Sequence, residues 1–165
     1  MKWISYLFIL VLFITTACEQ DPPCYPLIEG CTDSLAINFF SDANIPSDDC
    51  EYATDKFVGT YLITDSVFGG MTADYFQREY EMVILKDSEN PNKLLVQHWS
   101  FSHYNYQVMA EVDSTLFTVS NHIYTDPDWF ETAGEGYIKG DSIFFTYYLL
   151  NLDWWAGKCT GVKID

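Results

Sequence analysis

The chain has 165 residues, with 24 acidic against eight basic side chains and a formal net charge of −16 at pH 7. So acidic a chain repels phosphate backbones and anionic membrane surfaces, which argues against nucleic acid as a partner. Twelve Tyr, twelve Phe and five Trp are present, many of them in short stretches beside Thr and Val. Aromatic and β-branched residues are typical of strands, so this composition predicts an all-β domain.

The N-terminal residues predict export. Lys2 gives a short positive start, residues 3–14 are almost unbroken apolar sequence, and small residues then lead into Cys18. This order is typical of a bacterial secretory signal, residues 1–17, that is removed before a lipid-modified cysteine. An uncleaved membrane anchor is the alternative, but the apolar run is about a dozen residues and a spanning helix needs about 20.

The leader resembles that of bacterial lipoproteins, in which Leu usually stands three residues before the modified cysteine; here that position is Thr15. The resemblance implies acyl chains such as palmitate on Cys18, and hence a membrane-anchored protein of the bacterial outer membrane or cell surface. Secretion after a nearby cleavage is the alternative. Residues 18–30 contain several prolines, which favour extended chain, so they are interpreted as a lipidated tether.

A cysteine-bounded segment follows the tether at residues 31–52, CTDSLAINFFSDANIPSDDCEY. It closely resembles a short module, C-T-D-x-x-A-x-N-(Y/F), that recurs in secreted and surface proteins of some Gram-negative bacteria. The family often has Gly-Ser before the second cysteine, where this chain has Asp48-Asp49. The module accompanies many different domains, so it indicates context more than activity. The matching residues are Cys31, Thr32, Asp33, Ala36, Asn38, Phe39, Asp42, Ala43, Asp49, Cys50 and Tyr52.

Four cysteines remain beside Cys18, and an even number in an oxidising compartment favours two disulfides. Four cysteines allow three pairings, which the sequence leaves open. The module resemblance implies Cys31–Cys50, a loop of about 20 residues that contributes about 3 kcal/mol in the loop-entropy model. The second predicted bridge is then Cys24–Cys159, with two separate thiols as the alternative.

The module is rich in side-chain oxygens that suit calcium. Their spacing does not match the twelve-residue EF-hand loop, and the central Gly of that loop is missing. The alternative is that the same side chains form turns and cap short helical segments. The candidate ligands are Asp33, Asn38, Asp42, Asp48 and Asp49.

Residues 55–165 carry the main domain. Turn signals divide it into eight predicted strands: Phe57–Asp65, Arg78–Lys86, Lys93–Phe101, Tyr106–Val112, Leu116–His122, Gly134–Lys139, Ser142–Leu150 and Ala156–Ile164. Gly140 and Asp141 predict a tight hairpin, because Gly tolerates the positive φ of such turns. Short connections predict an antiparallel meander, and closing it into a barrel removes the exposed edges.

Two segments of this domain add a family resemblance. Residues 57–61, FVGTY, are similar to the Gly-x-Trp start of lipocalins, with Tyr61 at the Trp position. Residues 134–138, GEGYI, with the tight turn and aromatic strand that follow, look like small lipocalin-like lipoprotein domains of Gram-negative bacteria. The resemblance implies a lipocalin-like, eight-stranded antiparallel barrel over residues 55–165.

Tryptophans near the strand ends predict a binding rim. Trp154 and Trp155 are adjacent, so on a strand they point to opposite faces and one of them is exposed or lies at the barrel mouth. Aromatic faces line apolar cavities and stack on sugars. We therefore expect ligand contacts from Trp129, Phe130, Trp154 and Trp155.

Three functions compete. The first is non-catalytic binding of a small apolar or amphipathic ligand inside the barrel. The second is a structural or adhesive surface module that binds glycan or protein through exposed aromatics. The third is a hydrolase built on paired acids such as Asp65 and Asp74, but the sequence has no nucleophile elbow and no phosphate-binding loop. We expect a monomer without catalytic residues, and no cofactor other than calcium at the module.

Overall fold

The structure, a computed structural model, describes residues 25–71, 74–100, 107–124, 130–150 and 153–165. Two short parallel strands, β1 (Glu29–Gly30) and β2 (Ile45–Pro46), precede a closed barrel of eight antiparallel strands. This confirms the predicted all-β fold and the meander barrel. The barrel strands are β3 (Gly59–Gly69), β4 (Asp74–Lys86), β5 (Lys93–Gln97), β6 (Gln107–Asp113), β7 (Leu116–Tyr124), β8 (Phe130–Lys139), β9 (Ser142–Leu150) and β10 (Trp154–Lys163).

The hairpin between β8 and β9 has the predicted two-residue turn. Lys139 pairs with Ser142, and Gly140 has a φ of 59°. The strand β5 is shorter than predicted, because it ends at Gln97 rather than at Phe101. His98 and Ser100 have φ values of 59° and 66°, which lie outside the strand region.

Alternating side chains fill the barrel. On β9, Phe145 and Tyr147 point inward and are 3% and 4% exposed, whereas Tyr148 points outward and is 41% exposed. The strand therefore has an aromatic side chain on each face. The core also contains Phe57, Tyr61, Ile63, Met82, Ile84, Leu94, Val96, Trp99, Val108, Phe117 and Ile143, each no more than 7% exposed.

The two ends of the barrel differ. At one end, called here the closed end, short turns join β4 to β5, β6 to β7 and β8 to β9. A 3-10 helix, Ala53–Lys56, precedes β3 at this end, and Thr54 Oγ1 donates a hydrogen bond to the carbonyl of Pro91 at 2.7 Å. The other end, called here the loop end, carries the connections that follow β3, β5, β7 and β9.

The cysteine-bounded module is held by a cross-link and local hydrogen bonds. Cys31 and Cys50 form a disulfide, which confirms that predicted pair. Asn44 accepts a hydrogen bond from the Ile28 amide through Oδ1 and donates one to the Pro26 carbonyl through Nδ2.

Within the described part of the chain, no helix has the length and apolar character needed to cross a bilayer.

Candidate functional site

A polar cluster lies inside the barrel, on the inner faces of β3, β4, β9 and β10. Asp65 is 0% exposed. Its Oδ2 accepts a hydrogen bond from the Tyr147 hydroxyl at 2.7 Å, and its Oδ1 accepts one from the Cys159 thiol at 3.2 Å. A buried carboxyl is costly unless it is hydrogen-bonded or paired, so these two donors stabilise Asp65 in the interior.

Strand register explains why these residues meet. Asp65 is paired with Arg78 on β4 and with Cys159 on β10, so all three side chains point to the same face of the sheet. The positive charge of Arg78 lies close enough to favour the ionised form of Asp65. The Arg78 guanidinium also lies 5.5 Å from the ring centroid of Phe76, the next inward residue on β4.

The interior shifts the acid–base properties of the cluster. Burial raises the pKa of Asp65, while hydrogen bonds from Tyr147 and Cys159 and the charge of Arg78 act in the opposite direction. Burial, with Asp65 nearby, also raises the pKa of the Cys159 thiol. The thiol therefore stays protonated near neutral pH and acts as a hydrogen-bond donor, because nucleophilic cysteines need the thiolate.

Tyr80 adds a second phenol to this region. It lies on the inner face of β4, where its hydroxyl is buried and faces the Cys159 sulfur. Burial raises its pKa well above the ordinary value, helped by the neighbouring Cys159, Asp65 and Tyr147. A cysteine sulfur is only a weak acceptor, so a bound water or a polar ligand atom would be a stronger partner for this hydroxyl.

Some inward side chains near the loop end are less completely buried than those deeper in the barrel. The inward side chains of Phe76, Arg78 and Trp155 are half-buried. Deeper in the barrel, Tyr61 and Met82 are 0% exposed. Phe76 and Trp155 are therefore less buried than these core residues, and their rings meet edge to face at 5.8 Å near the loop end.

Trp99 fills the middle of the barrel from the segment that follows β5. It is 1% exposed and stacks on Phe145 with ring centroids 5.0 Å apart. Its Nε1 donates a hydrogen bond to Thr132 Oγ1 at 3.1 Å. The flanking His98 and Ser100 adopt left-handed φ values, each costing of order 1–3 kcal/mol.

The predicted rim residues lie on different walls. Trp154 is 52% exposed on the outer wall and meets Phe68 edge to face at 5.6 Å. Trp155 points inward, which confirms the prediction that these neighbours face opposite ways. Phe130 is 3% exposed and belongs to the core of the barrel. Trp129 lies outside the described residues.

The cysteines require one correction. Cys159 carries a free thiol, so the predicted Cys24–Cys159 disulfide is wrong. The physical reason is strand parity: the Cys159 side chain points into the barrel, is 1% exposed, and faces Asp65 rather than the outer surface. Cys24 and the predicted lipidation site Cys18 both lie outside the described residues.

Two predicted calcium ligands of the module, Asp33 and Asn38, make hydrogen bonds within the module. Asp33 accepts hydrogen bonds from the Leu35 amide at 2.9 Å and from the Tyr52 hydroxyl at 2.7 Å. Asn38 donates to the Asp49 carbonyl and accepts from the Glu51 amide. In the described ranges no group of three His, Cys, Asp or Glu side chains is close enough to hold a metal ion. Calcium binding, which would also need the exposed Asp42 and Asp48, stays a prediction.

The outer wall of β7–β10 has a concavity of about 640 Å³. The rings of Tyr137 and Phe144 stack on it with centroids 5.0 Å apart, and Leu116 lies beside them. Glu135 and Lys158 lie one outward row away. This concavity presents aromatic faces next to polar side chains on the outside of the barrel.

Sequence reasoning missed the polar cluster and the role of Trp99. A signal for Asp65 was present, since it continues the inward parity of Tyr61 and Ile63 on the same strand. An acid on the apolar face of a strand is uncommon and indicates a buried partner. Nothing local indicates that Tyr147 and Cys159 would be those partners, since they lie 82 and 94 residues away.

Comparison of the sequence with protein-family models and with curated proteins finds no match. The function therefore has to be inferred from the residues of the chain itself.

Proposed function

We propose that the protein is a non-catalytic, lipid-anchored surface protein whose barrel binds a small amphipathic ligand. The observation that carries this proposal is the polar cluster around the fully buried Asp65. A barrel of eight strands can be filled by side chains or can hold one small ligand. Apolar side chains would fill the interior at lower cost than an acid, an arginine and two phenols, so a polar cluster there favours a ligand.

The chemistry of the cluster favours an uncharged polar group. Asp65 and Arg78 carry opposite charges, and Tyr147 and Cys159 already donate to the carboxyl. An alcohol or amide can both donate to Asp65 and accept from Tyr80, without adding charge to the interior. The acidic character of the whole chain also disfavours an anionic ligand approaching from solvent.

The apolar part of the ligand would lie nearer the loop end. Phe76 and Trp155 point inward there and are half-buried, so an apolar group beside them loses contact with water. This places the polar group of the ligand deep in the barrel and its apolar part toward the mouth. The arrangement supports an amphipathic ligand over a purely apolar one.

The location rests on the N-terminal sequence. The apolar leader followed by Cys18 favours export and lipid attachment at the bacterial outer membrane or cell surface. The Cys31–Cys50 disulfide agrees with export, because such bridges persist in oxidising compartments.

Substituting Cys18→Ser should move the protein from the membrane fraction to the soluble fraction; retention in the membrane would contradict lipid anchoring.

Native mass spectrometry of the full chain carrying Cys18→Ser, purified without detergent from a periplasmic extract, tests the binding. We expect a bound small molecule, and about tenfold weaker retention, or about 1.4 kcal/mol, in Tyr147→Phe, because the Asp65 carboxyl that contacts the ligand then loses the donor that positions it. Tyr148→Phe is the matched control, because the neighbouring hydroxyl lies on the outer wall. A ligand-free mass for the parent protein would contradict the proposal.

A second candidate function is favoured by the outer wall. The stacked Tyr137 and Phe144, with nearby Glu135 and Lys158, offer both ring faces and hydrogen-bonding groups to a glycan. Glycan-array binding that disappears in Phe144→Ala but persists in Tyr147→Phe would favour this adhesive function. Nothing in the described residues supports the hydrolase, which stays a prediction.

A further inference from the structure

We infer that Trp99 sets the inner limit of the ligand chamber, so that the barrel accepts compact amphiphiles and excludes long-chain ones. This inference rests on the proposed binding function. It concerns how deep a ligand can enter from the loop end, which the polar cluster alone does not determine.

The indole lies across the barrel at the level of the cluster. It stacks on Phe145, meets Phe117 at 6.5 Å between ring centroids, and lies 5.9 Å from the ring of Tyr147, which donates to Asp65. Its Nε1 is fixed by Thr132, whose hydroxyl donates in turn to the Tyr148 carbonyl at 2.7 Å. A ligand that reaches Asp65 therefore meets the indole at the same depth.

The facing wall is adapted to the indole. A Cβ atom at Gly134 would lie 2.7 Å from the Trp99 ring and 2.6 Å from the Thr146 carbonyl oxygen. No larger residue fits there without moving both β9 and the indole. Trp99 thus reaches across the interior from the end of β5 to the wall of β8 and β9.

The packing of the Trp99 indole maintains a strained backbone on both sides of it. His98 and Ser100 both have left-handed φ values although neither is glycine. Ser100 is 3% exposed, and its hydroxyl has no hydrogen-bond partner among the described residues. Strain and an unpaired hydroxyl are maintained only where the surrounding structure compensates, and such positions concentrate at functional sites.

The available depth is short. Gly69, at the loop end of β3, lies four residue steps beyond Asp65. At about 3.3 Å per residue and a strand tilt of about 40°, this corresponds to about 10 Å along the barrel axis. A ligand whose polar group contacts Asp65 therefore has about 10 Å of buried length.

The test compares three chains that all carry Cys18→Ser and are purified from periplasmic extract: the parent, Trp99→Ala and Trp99→Phe. Native mass spectrometry gives the masses of the bound molecules. We expect longer and heavier ligands in Trp99→Ala, with a smaller shift in Trp99→Phe, which decides the question if the alanine variant does not fold. Trp154→Ala, on the outer wall, and His98→Gly, which keeps the indole, should retain the parent ligand masses.

Benzene provides a readout that does not depend on the natural ligand. An apolar cavity left by a removed side chain binds benzene, so benzene should raise the thermal midpoint of Trp99→Ala and leave that of the parent unchanged. Unchanged ligand masses in both Trp99 variants, with ligand still present in the parent, would overturn the depth limit and leave the proposed function intact. A ligand-free parent would overturn the proposed function itself.

Discussion

The barrel and the cysteine-bounded module solve the problem of stability in different ways. In the barrel, inward side chains such as Ile63 and Met82 are 0% exposed. In the module, Cys31 and Ala36 are the buried apolar residues of segment 31–52, all of which is described, whereas Leu35, Ile37, Phe39 and Phe40 are 44–61% exposed. The barrel is stabilised by burial, and the module by one covalent bond and side-chain hydrogen bonds.

Because the barrel and the module are stabilised differently, they should be sensitive to different substitutions. Removing a core side chain from a packed interior costs transfer energy and leaves a cavity. A short segment with few buried residues depends on its cross-link, because it has little apolar surface to bury. Substitutions that separate these two mechanisms should therefore act on one region and spare the other.

The largest effect is expected from Phe145→Ala. Phe145 is 3% exposed and stacks on Trp99, so its truncation should lower the free energy of unfolding of the barrel by about 3–5 kcal/mol. Phe144→Ala is the matched control, because the adjacent ring lies on the outer wall against Tyr137, where an aromatic contact contributes about 0.5–1.5 kcal/mol. Equal losses in urea unfolding would contradict the assignment of inner and outer faces.

The next effect separates the module from the barrel. Replacing Cys31 and Cys50 by Ser should destabilise the module by about 3 kcal/mol, because a loop of about 20 residues is released. Hydrogen exchange should then become fast from residue 25 to 52 while the amides of β9 and β10 keep their protection. Loss of protection across the barrel as well would show that the two regions unfold as one unit.

The stability of the barrel should also depend on pH through the buried carboxyl of Asp65. Its carboxyl titrates near 3.8 in the unfolded chain, and burial raises its pKa in the folded barrel. The folded state therefore binds this proton more tightly, so its contribution to stability is complete below about pH 3.8 and is lost as the pH rises through the raised pKa. Urea unfolding from about pH 4 to 7 should show the parent losing stability relative to Asp65→Asn.

The exposed Asp113 provides the control for that series, since Asp113→Asn leaves the interior unchanged. Its pH profile should follow that of the parent. A parent and an Asp65→Asn variant that keep a constant difference over the whole range would show that Asp65 does not titrate differently in the folded state.

The smallest effect is expected from Asn38→Ala in the module. Asn38 donates to the Asp49 carbonyl and accepts from the Glu51 amide, both at exposed positions, so its loss should cost about 1 kcal/mol. The exposed Asp48→Ala should change little, unless calcium is added and Asp48 binds it. A calcium-dependent rise in module stability that Asp48→Ala abolishes would favour the metal interpretation.

Short sequence patterns predicted correctly those features that depend on neighbouring residues, such as the turn between β8 and β9. Gly140 with Asp141 gave the right turn between β8 and β9. The end of β5 was misplaced because the positive φ of His98 and Ser100 depends on where Trp99 packs. Counting cysteines suggested a bridge to Cys159, but the inward parity of β10 rules it out.

The pairing of β10 with β3 has a consequence for how the chain reaches its fold. The Asp165 carboxylate accepts hydrogen bonds from the amide and hydroxyl of Thr60, 105 residues away, and nine residues of β10 are in register with β3. Until β10 is available, β3 and β9 each have an unpaired edge, which is where chains aggregate. The barrel should therefore fold late, slowly and as one unit, so the chain stays unfolded for longer than one with local contacts.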